Sequence, residues 1–415
     1  MDLKKFCSLM ELSSEAEGLL LPHWEKIVAA WGGKVPEFVS EDFIEKHLPL
    51  LQMPDDEEEI FRRAKSIIAD CEKKAERSLY IFVLYYGALV LKLQLHPALQ
   101  SRAWGDDEGM VALIAALGGY PLIVENCRKR GIPEHYAVDA MQWLGGTVLT
   151  YKLSHNGIPG HPLPHLYWLK YHVDGEIYRI GRFEYLMHPV PDWVQWIFRS
   201  RDGVFAVLAA PGLKFDKNGL VTLDEPYVEA AIEEDGFYIT GIPCSVDGIA
   251  RVDERLTIDR REFLPVCSPW DLVPSLHIPG GMRMDWDDAL DSMKAAKEFF
   301  KKYFKREIPM IVCGSWIFNP ALEKFAPNGN IARLRRESFN IPMVRWSDKG
   351  RDGMLFAFGR DDVDPTELPA ENSLQKVLQE IFKAEGTLRT GAMFVLSEDL
   401  DKLGNMYYRT CAKVL

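Results

Sequence analysis

The sequence predicts an α+β protein: a helical N-terminal domain over residues 1–155, followed by a mixed α/β domain over 165–415. Three observations carry this. Up to about residue 153, apolar residues recur at three- and four-residue spacing with short breaks between the periodic stretches. Asn156-Gly157-Ile158-Pro159-Gly160-His161-Pro162 then interrupts the pattern with the composition of a domain junction, placed near 153–165. Beyond it, short apolar and aromatic runs punctuated by Asp-Gly and Asn-Gly alternate with two long helical patterns.

In the first part, Phe6, Leu9 and Met10 open a helix. Leu19, Leu20, Trp24, Ile27, Val28 and Trp31 form a helical stripe that Gly32-Gly33 stops. Ser40 caps a short helix with Glu41 and Asp42 in its first turn. The acidic run 55–59 starts another, on which Ile60, Ala64, Ile67, Cys71, Ala75 and Leu79 keep one face apolar. Tyr80, Phe82, Tyr85 and Tyr86 have the spacing of core packing and also of a ligand groove. Helical patterns follow at 108–117, closed by Gly118-Gly119, at 121–130, closed by Gly131, and at 133–153, with Pro133 in its first turn.

In the second part, Trp168-Leu169-Lys170-Tyr171-His172-Val173 reads as a strand, Asp174-Gly175 as a hairpin turn, and 176–187 as the return strand. Tyr178, Ile180, Arg182 and Glu184 share one face of it by the two-residue period. Arg182 and Glu184 are then neighbours, as a structural ion pair or as a carboxylate held for proton transfer. Further strands are expected at 204–209, 220–223, 237–242, 272–278, 353–359 and 392–396, and helices at 286–304 and 373–384. The stretch 274–335 organises this part. Leu276 and Ile278 bracket His277 in an extended run, Pro279-Gly280-Gly281 ends it, a helix starts near Trp286, and an apolar strand follows after Ile308. A strand, a glycine turn and a helix N-terminus can present backbone N–H groups to an anion such as a pyrophosphate. Asp285, Asp287 and Asp288 suit the helix dipole and repel a phosphate placed right there.

Composition narrows the function. The chain has 415 residues, is 47% apolar and carries a net charge of −12, which argues against nucleic acid or anionic lipid as partners. Seven cysteines without a Cys-x-x-Cys pair indicate neither a disulfide framework nor a zinc site. His155, His161, His165 and His172 crowd the junction at spacings that fit no metal motif, and no metal is expected. The first residues lack the apolar core of a secretory signal, and the longest apolar run, 79–91, is too short to span a bilayer. These features predict a soluble, cytoplasmic protein. No nucleophile elbow, P-loop, dinucleotide fingerprint or His-Glu-x-x-His motif is present.

Six runs occur in a telling order: Arg130-Gly131-Ile132-Pro133-Glu134; 175–185, Gly-Glu-Ile-Tyr-Arg-Ile-Gly-Arg-Phe-Glu-Tyr; His277-Ile278-Pro279 with Gly281; 313–320, Cys-Gly-Ser-Trp-Ile-Phe-Asn-Pro; Asn330-Ile331; and Leu368-Pro369 followed by Ser373-Leu374-Gln375. From about residue 40 to residue 397 the chain resembles the two-part bacterial acyltransferase-like proteins. In these a helical N-acyltransferase N-terminal domain precedes a GNAT-like C-terminal domain. The resemblance implies an acyl group moved from a thioester, on coenzyme A or an acyl carrier protein, to a small-molecule acceptor such as an amine. The chain departs from the family in two places: Arg182-Phe183-Glu184 replaces the usual Arg-Leu-Gln, and Gly314 replaces a histidine before Ser315-Trp316.

Acyl transfer to an amine needs a donor cradle of N–H groups, a base for the amine, and an acid for the leaving thiolate. Glu184 and His277 are the candidate bases and Tyr185 the candidate acid. Gly280 and Gly281, with Ser315 and Trp316, are the candidate donor-binding positions, the last two by fixing their strand against the core. Arg182 binds a substrate carboxylate or pairs with Glu184. Cys313 is read as a nucleophile or as inert packing. Two rival readings stand beside the enzyme: a non-catalytic acyl-thioester or metabolite binder, favoured by Gly314, and an interaction protein whose helical domain docks a partner.

Overall fold

The computed structural model describes residues 1–94, 97–280, 283–344 and 351–415. The chain forms two compact units, Met1–Arg179 with Pro279–Met282, and Ile180–Ile278 with Arg283–Leu415. The stretch 153–165 lies inside the first unit, between two of its helices.

The first unit is built from α1 (Leu3–Leu9), α2 (Ser14–Leu20), α3 (Trp24–Trp31), α4 (Glu41–His47), α5 (Glu57–Lys73), α6 (Ala75–Tyr85), α7 (Glu108–Leu117), α8 (Tyr120–Lys129), α9 (His135–Ser154) and α10 (Leu166–Asp174). Caps set several ends. The Ser40 hydroxyl accepts from the Phe43 N–H at 3.2 Å, and Gly32 closes α3 at φ 64°. Every residue of α7 from Gly109 to Leu117 is buried, so this helix is the unit's axis, with α5, α6 and α9 packed on it. Adjacent glycines let other backbone segments approach α9 closely. A Cβ on Gly145 would lie 2.2 Å from the Leu51 carbonyl oxygen, and one on Gly146 would lie 3.1 Å from that of Gly280. Among the described residues, 102–129 is the one stretch long and apolar enough to cross a membrane, and most of it is buried within the unit.

The strand β1 (Ile177–Ile180) runs across the boundary of the two units, and the second unit carries the other strands: β2 (Phe183–Pro189), β3 (Ile197–Ser200), β4 (Phe205–Val207), β5 (Lys214–Phe215), β6 (Val228–Glu229), β7 (Glu233–Asp235), β8 (Tyr238–Gly241), β9 (Leu256–Asp259), β10 (Phe263–Pro265), β11 (Leu272–His277), β12 (Met310–Ser315), β13 (Phe339–Pro342) and β14 (Gly391–Leu396). Its helices are α11 (Trp286–Phe304), α12 (Ala321–Phe325), α13 (Asn330–Glu337), α14 (Arg351–Phe358), α15 (Ser373–Glu385) and α16 (Tyr407–Thr410). The main sheet runs β1-β2-β11-β12-β14-β13, and β3 to β10 form three small antiparallel sheets. The α+β class expected from the sequence is the observed one.

Four local expectations are corrected. Residues 168–173 are helical: Leu166, Leu169 and His172 bury one face of α10, and Gly175, at φ 67°, is its left-handed C-cap instead of a hairpin turn. The strand expected over 176–187 is two strands, because Gly181 turns at φ 62° and puts Arg182 in the turn. Residues 353–359 are mostly α14, with Met354, Ala357 and Phe358 buried at helical spacing against Leu378 and Ile381 of α15. The strand expected at 220–223 shrinks to an isolated bridge between Phe215 and Val221.

Candidate active site

The site lies where the main sheet changes direction. β11 is antiparallel to β2 through six residue pairs, from Leu272↔Pro189 to His277↔Glu184. On its other side it is parallel to β12, reached through α11, and among the described residues only Ser275↔Val312 is in register there. The carboxyl ends of such strands are where open α/β sheets form ligand crevices. His277 ends β11, and Gly314 and Ser315 end β12.

Ladder partners share a face of the sheet, and residues two apart return to it. One face at this end therefore carries Glu184 opposite His277, with Gly314 on β12 opposite Ala392 and Ala392 opposite Ile341. The other face carries Tyr185 opposite Leu276, and Cys313 opposite Met393. Tyr185 identifies this second face as the one under α11, because its hydroxyl is 2.9 Å from Ser292 Oγ. Glu184 is 1% exposed and His277 is half-buried, so a buried carboxylate and a partly accessible imidazole stand side by side on one face. Directly opposed side chains have Cβ atoms about 4.5–5.5 Å apart.

The structure brings Glu184 and His277 together and puts Tyr185 on the opposite face of the sheet. Burial pushes the Tyr185 phenol far above its ordinary pKa. Ser292 Oγ accepts from the Phe183 N–H at 3.2 Å and donates to the Ile180 carbonyl, so Tyr185 and Ser292 clamp the β1–β2 turn to α11. Arg182, in that turn, is 6% exposed and donates from Nε to the Arg283 carbonyl at 3.1 Å. Cys313 is 2% exposed on the helix-side face, near Tyr185.

Ser315 caps the 3-10 turn after β12, accepting from the Ile317 N–H at 3.4 Å. Trp316 packs against the cluster of Ala321, Leu322, Met354 and Phe358. Arg335 fastens the same segment from below: it is 1% exposed, pairs with Glu323 at 3.0 Å and donates to the Phe318 carbonyl. Its burial lowers the guanidinium pKa to about 10. Gly280 belongs to the first unit and lies against Gly146, without a positive φ. Gly281 lies outside the described residues.

The sequence reading missed Met343. Its thioether covers Gly314: a Cβ there would lie 2.8 Å from Met343 Cε and 3.0 Å from Sδ. Only the glycine itself hinted at something filling its place. In the first unit, His161 is wholly buried with Nδ1 2.7 Å from Thr147 Oγ1, and the His165 ring is 6.4 Å away. Burial lowers the pKa of both histidines, leaving neutral imidazoles at pH 7. Among the described residues no three His, Cys, Asp or Glu side chains converge as metal ligands.

The profile of the GNAT-like C-terminal domain family matches residues 177–394, more than half of the chain. The chain belongs to this family. The matched region includes β11, α11, β12 and every candidate site residue, and none of the helices α1 to α10. Three solved structures share the fold across both parts. One is an acyltransferase in complex with decanoyl-CoA and teicoplanin, and another an acyltransferase in complex with CoA and 10C-teicoplanin; each has a TM-score of 0.61 and 16% identity, covering 95% of this chain and 99% of the other. The third, an acyltransferase in complex with decanoyl-CoA, has a TM-score of 0.56 at 18% identity with the same coverage. At these identities the likeness is one of fold. No curated protein matches the sequence.

Proposed function

We propose that the protein transfers an acyl group from acyl-CoA to an amine-type small-molecule acceptor, with Glu184 and His277 as its proton-handling pair. The observation that carries this reading is their direct opposition at the carboxyl end of β11, where it runs parallel to β12. The half-buried imidazole of His277 takes the proton of the attacking amine, and the buried Glu184 beside it stabilises the imidazolium. The amine nitrogen bonds to the thioester carbonyl carbon, the C–S bond breaks, and the proton passes from His277 to the departing thiolate. Arg182 holds the 283 backbone beside the pair, and Ser315 and Trp316 hold the end of β12. Tyr185 has a packing role in this scheme. The family membership and the acyl-CoA complexes of proteins with the same fold support the donor class. An acyl carrier protein is the alternative bearer of the same thioester.

Gly314 favours a second reading, an acyl-thioester binder without turnover, since the resemblance described above implies a histidine at this position. Two measurements separate them. Native mass spectrometry and calorimetry with acyl-CoA test binding; release of free thiol in the presence of an amine tests transfer. Binding without thiol release supports the binder, and absence of both overturns the two readings together.

A further inference from the structure

We infer that Met343 sets the acyl-chain length the site accepts, by standing as a movable plug on the glycine floor beside His277; this rests on the acyltransferase reading above. On the face that carries Glu184 and His277, β12 offers Gly314 and β14 offers Ala392, directly opposite each other. Neither residue has a side chain larger than a methyl group, so this part of the face leaves room for a neighbouring side chain. Met343, immediately after β13, fills it with Sδ and Cε against Gly314. Its backbone is tethered, the carbonyl accepting from Thr390 Oγ1 at 3.5 Å, where Thr390 leads into β14. The side chain is half-buried, unbranched and flexible, with three rotatable bonds and a soft sulfur.

A thioester whose carbonyl sits at His277 sends its chain across Gly314 and Ala392, and the Met343 thioether is what it meets there. A short acyl group fits beside the thioether. A longer one must turn it aside, which an unbranched chain allows and a branched one resists. Met343 thus acts on length preference, with proton transfer left to Glu184 and His277.

The test is kcat/KM with a ladder of straight-chain acyl-CoAs from acetyl to dodecanoyl, on the full chain, with thermal melts alongside. Met343→Ala is expected to raise the long-to-short ratio at least about tenfold, since the space of several methylenes opens. Gly314→Ala pushes the methionine end outward and is expected to lower the ratio, and the double variant to restore it. Met343→Leu, close in volume but branched and harder to turn aside, is expected to lower the long-to-short ratio below that of the wild type. An unchanged ratio in Met343→Ala and Gly314→Ala, with or without a change in melting, overturns the inference and leaves the acyltransferase reading standing. A wild type that neither binds nor turns over any acyl-CoA defeats the reading itself, and the inference with it.

Discussion

Glu184 and His277 are the last registered pair of the β2–β11 ladder, on the sheet face that Tyr185 does not share. Two residues neighbouring in sequence, Glu184 and Tyr185, are thereby sent to opposite faces. Their substitutions should behave differently.

Glu184→Gln and His277→Asn are expected to lower kcat by ~10²–10⁴, with acyl-CoA binding retained, if the pair handles the proton. Stopped-flow turnover with calorimetric binding checks this. Full turnover in both variants would remove the pair from the mechanism.

Tyr185→Phe is expected to keep turnover per folded molecule and to lose about 1 kcal/mol of stability with its bond to Ser292. Ser292→Ala is expected to cost more, about 2–4 kcal/mol, because the buried Phe183 N–H and Ile180 carbonyl also lose their partner. Denaturant melts give the costs. A large drop in kcat for Tyr185→Phe, without unfolding, would return the phenol to the chemistry.

Glu108 makes stability depend on pH. Its Oε1 meets the Tyr80 hydroxyl at 2.6 Å and the Ser101 N–H at 3.1 Å, and burial raises its pKa from 4.5 to about 7. The Tyr80 hydroxyl also meets the Leu99 carbonyl at 2.8 Å; if it donates there, it accepts from a protonated Glu108. A raised carboxyl pKa means that the native state holds a proton the unfolded chain has shed. Its stabilisation is present in full below pH 4.5 and is lost as the pH climbs to about 7, on the order of 3 kcal/mol in all. Unfolding free energies of wild type and Glu108→Gln, compared from pH 5 to pH 8, should diverge by this slope. Parallel curves would show that Glu108 is ionised throughout.

Gly145→Ala is expected to destabilise the protein by about 1–3 kcal/mol, because its methyl meets a backbone carbonyl that cannot step aside. Gly18→Ala in α2 meets nothing within 4 Å and should stabilise by up to about 1 kcal/mol through helix propensity. Thermal melts of the two variants should move in opposite directions.

The chain by itself determined the helices with long, one-sided apolar periodicity. The pattern read over 286–304 is α11, because a repeat of that length is written locally and needs no partner to be legible. The fold class and the family motifs followed from such local signals. Short runs did not decide themselves. Residues 168–173 and 353–359 have enough apolar residues for either period, and contacts with neighbouring helices made both helical.

The candidate site was legible as residue types. Glu184 and His277 could be named as bases, but not as partners, since they are far apart in sequence and their opposition depends on the register of β2 against β11. The sheet also separated Glu184 from Tyr185, and tertiary packing brought Met343 onto Gly314. Register and side-chain packing are properties of distant segments meeting. Only the tertiary structure decided them.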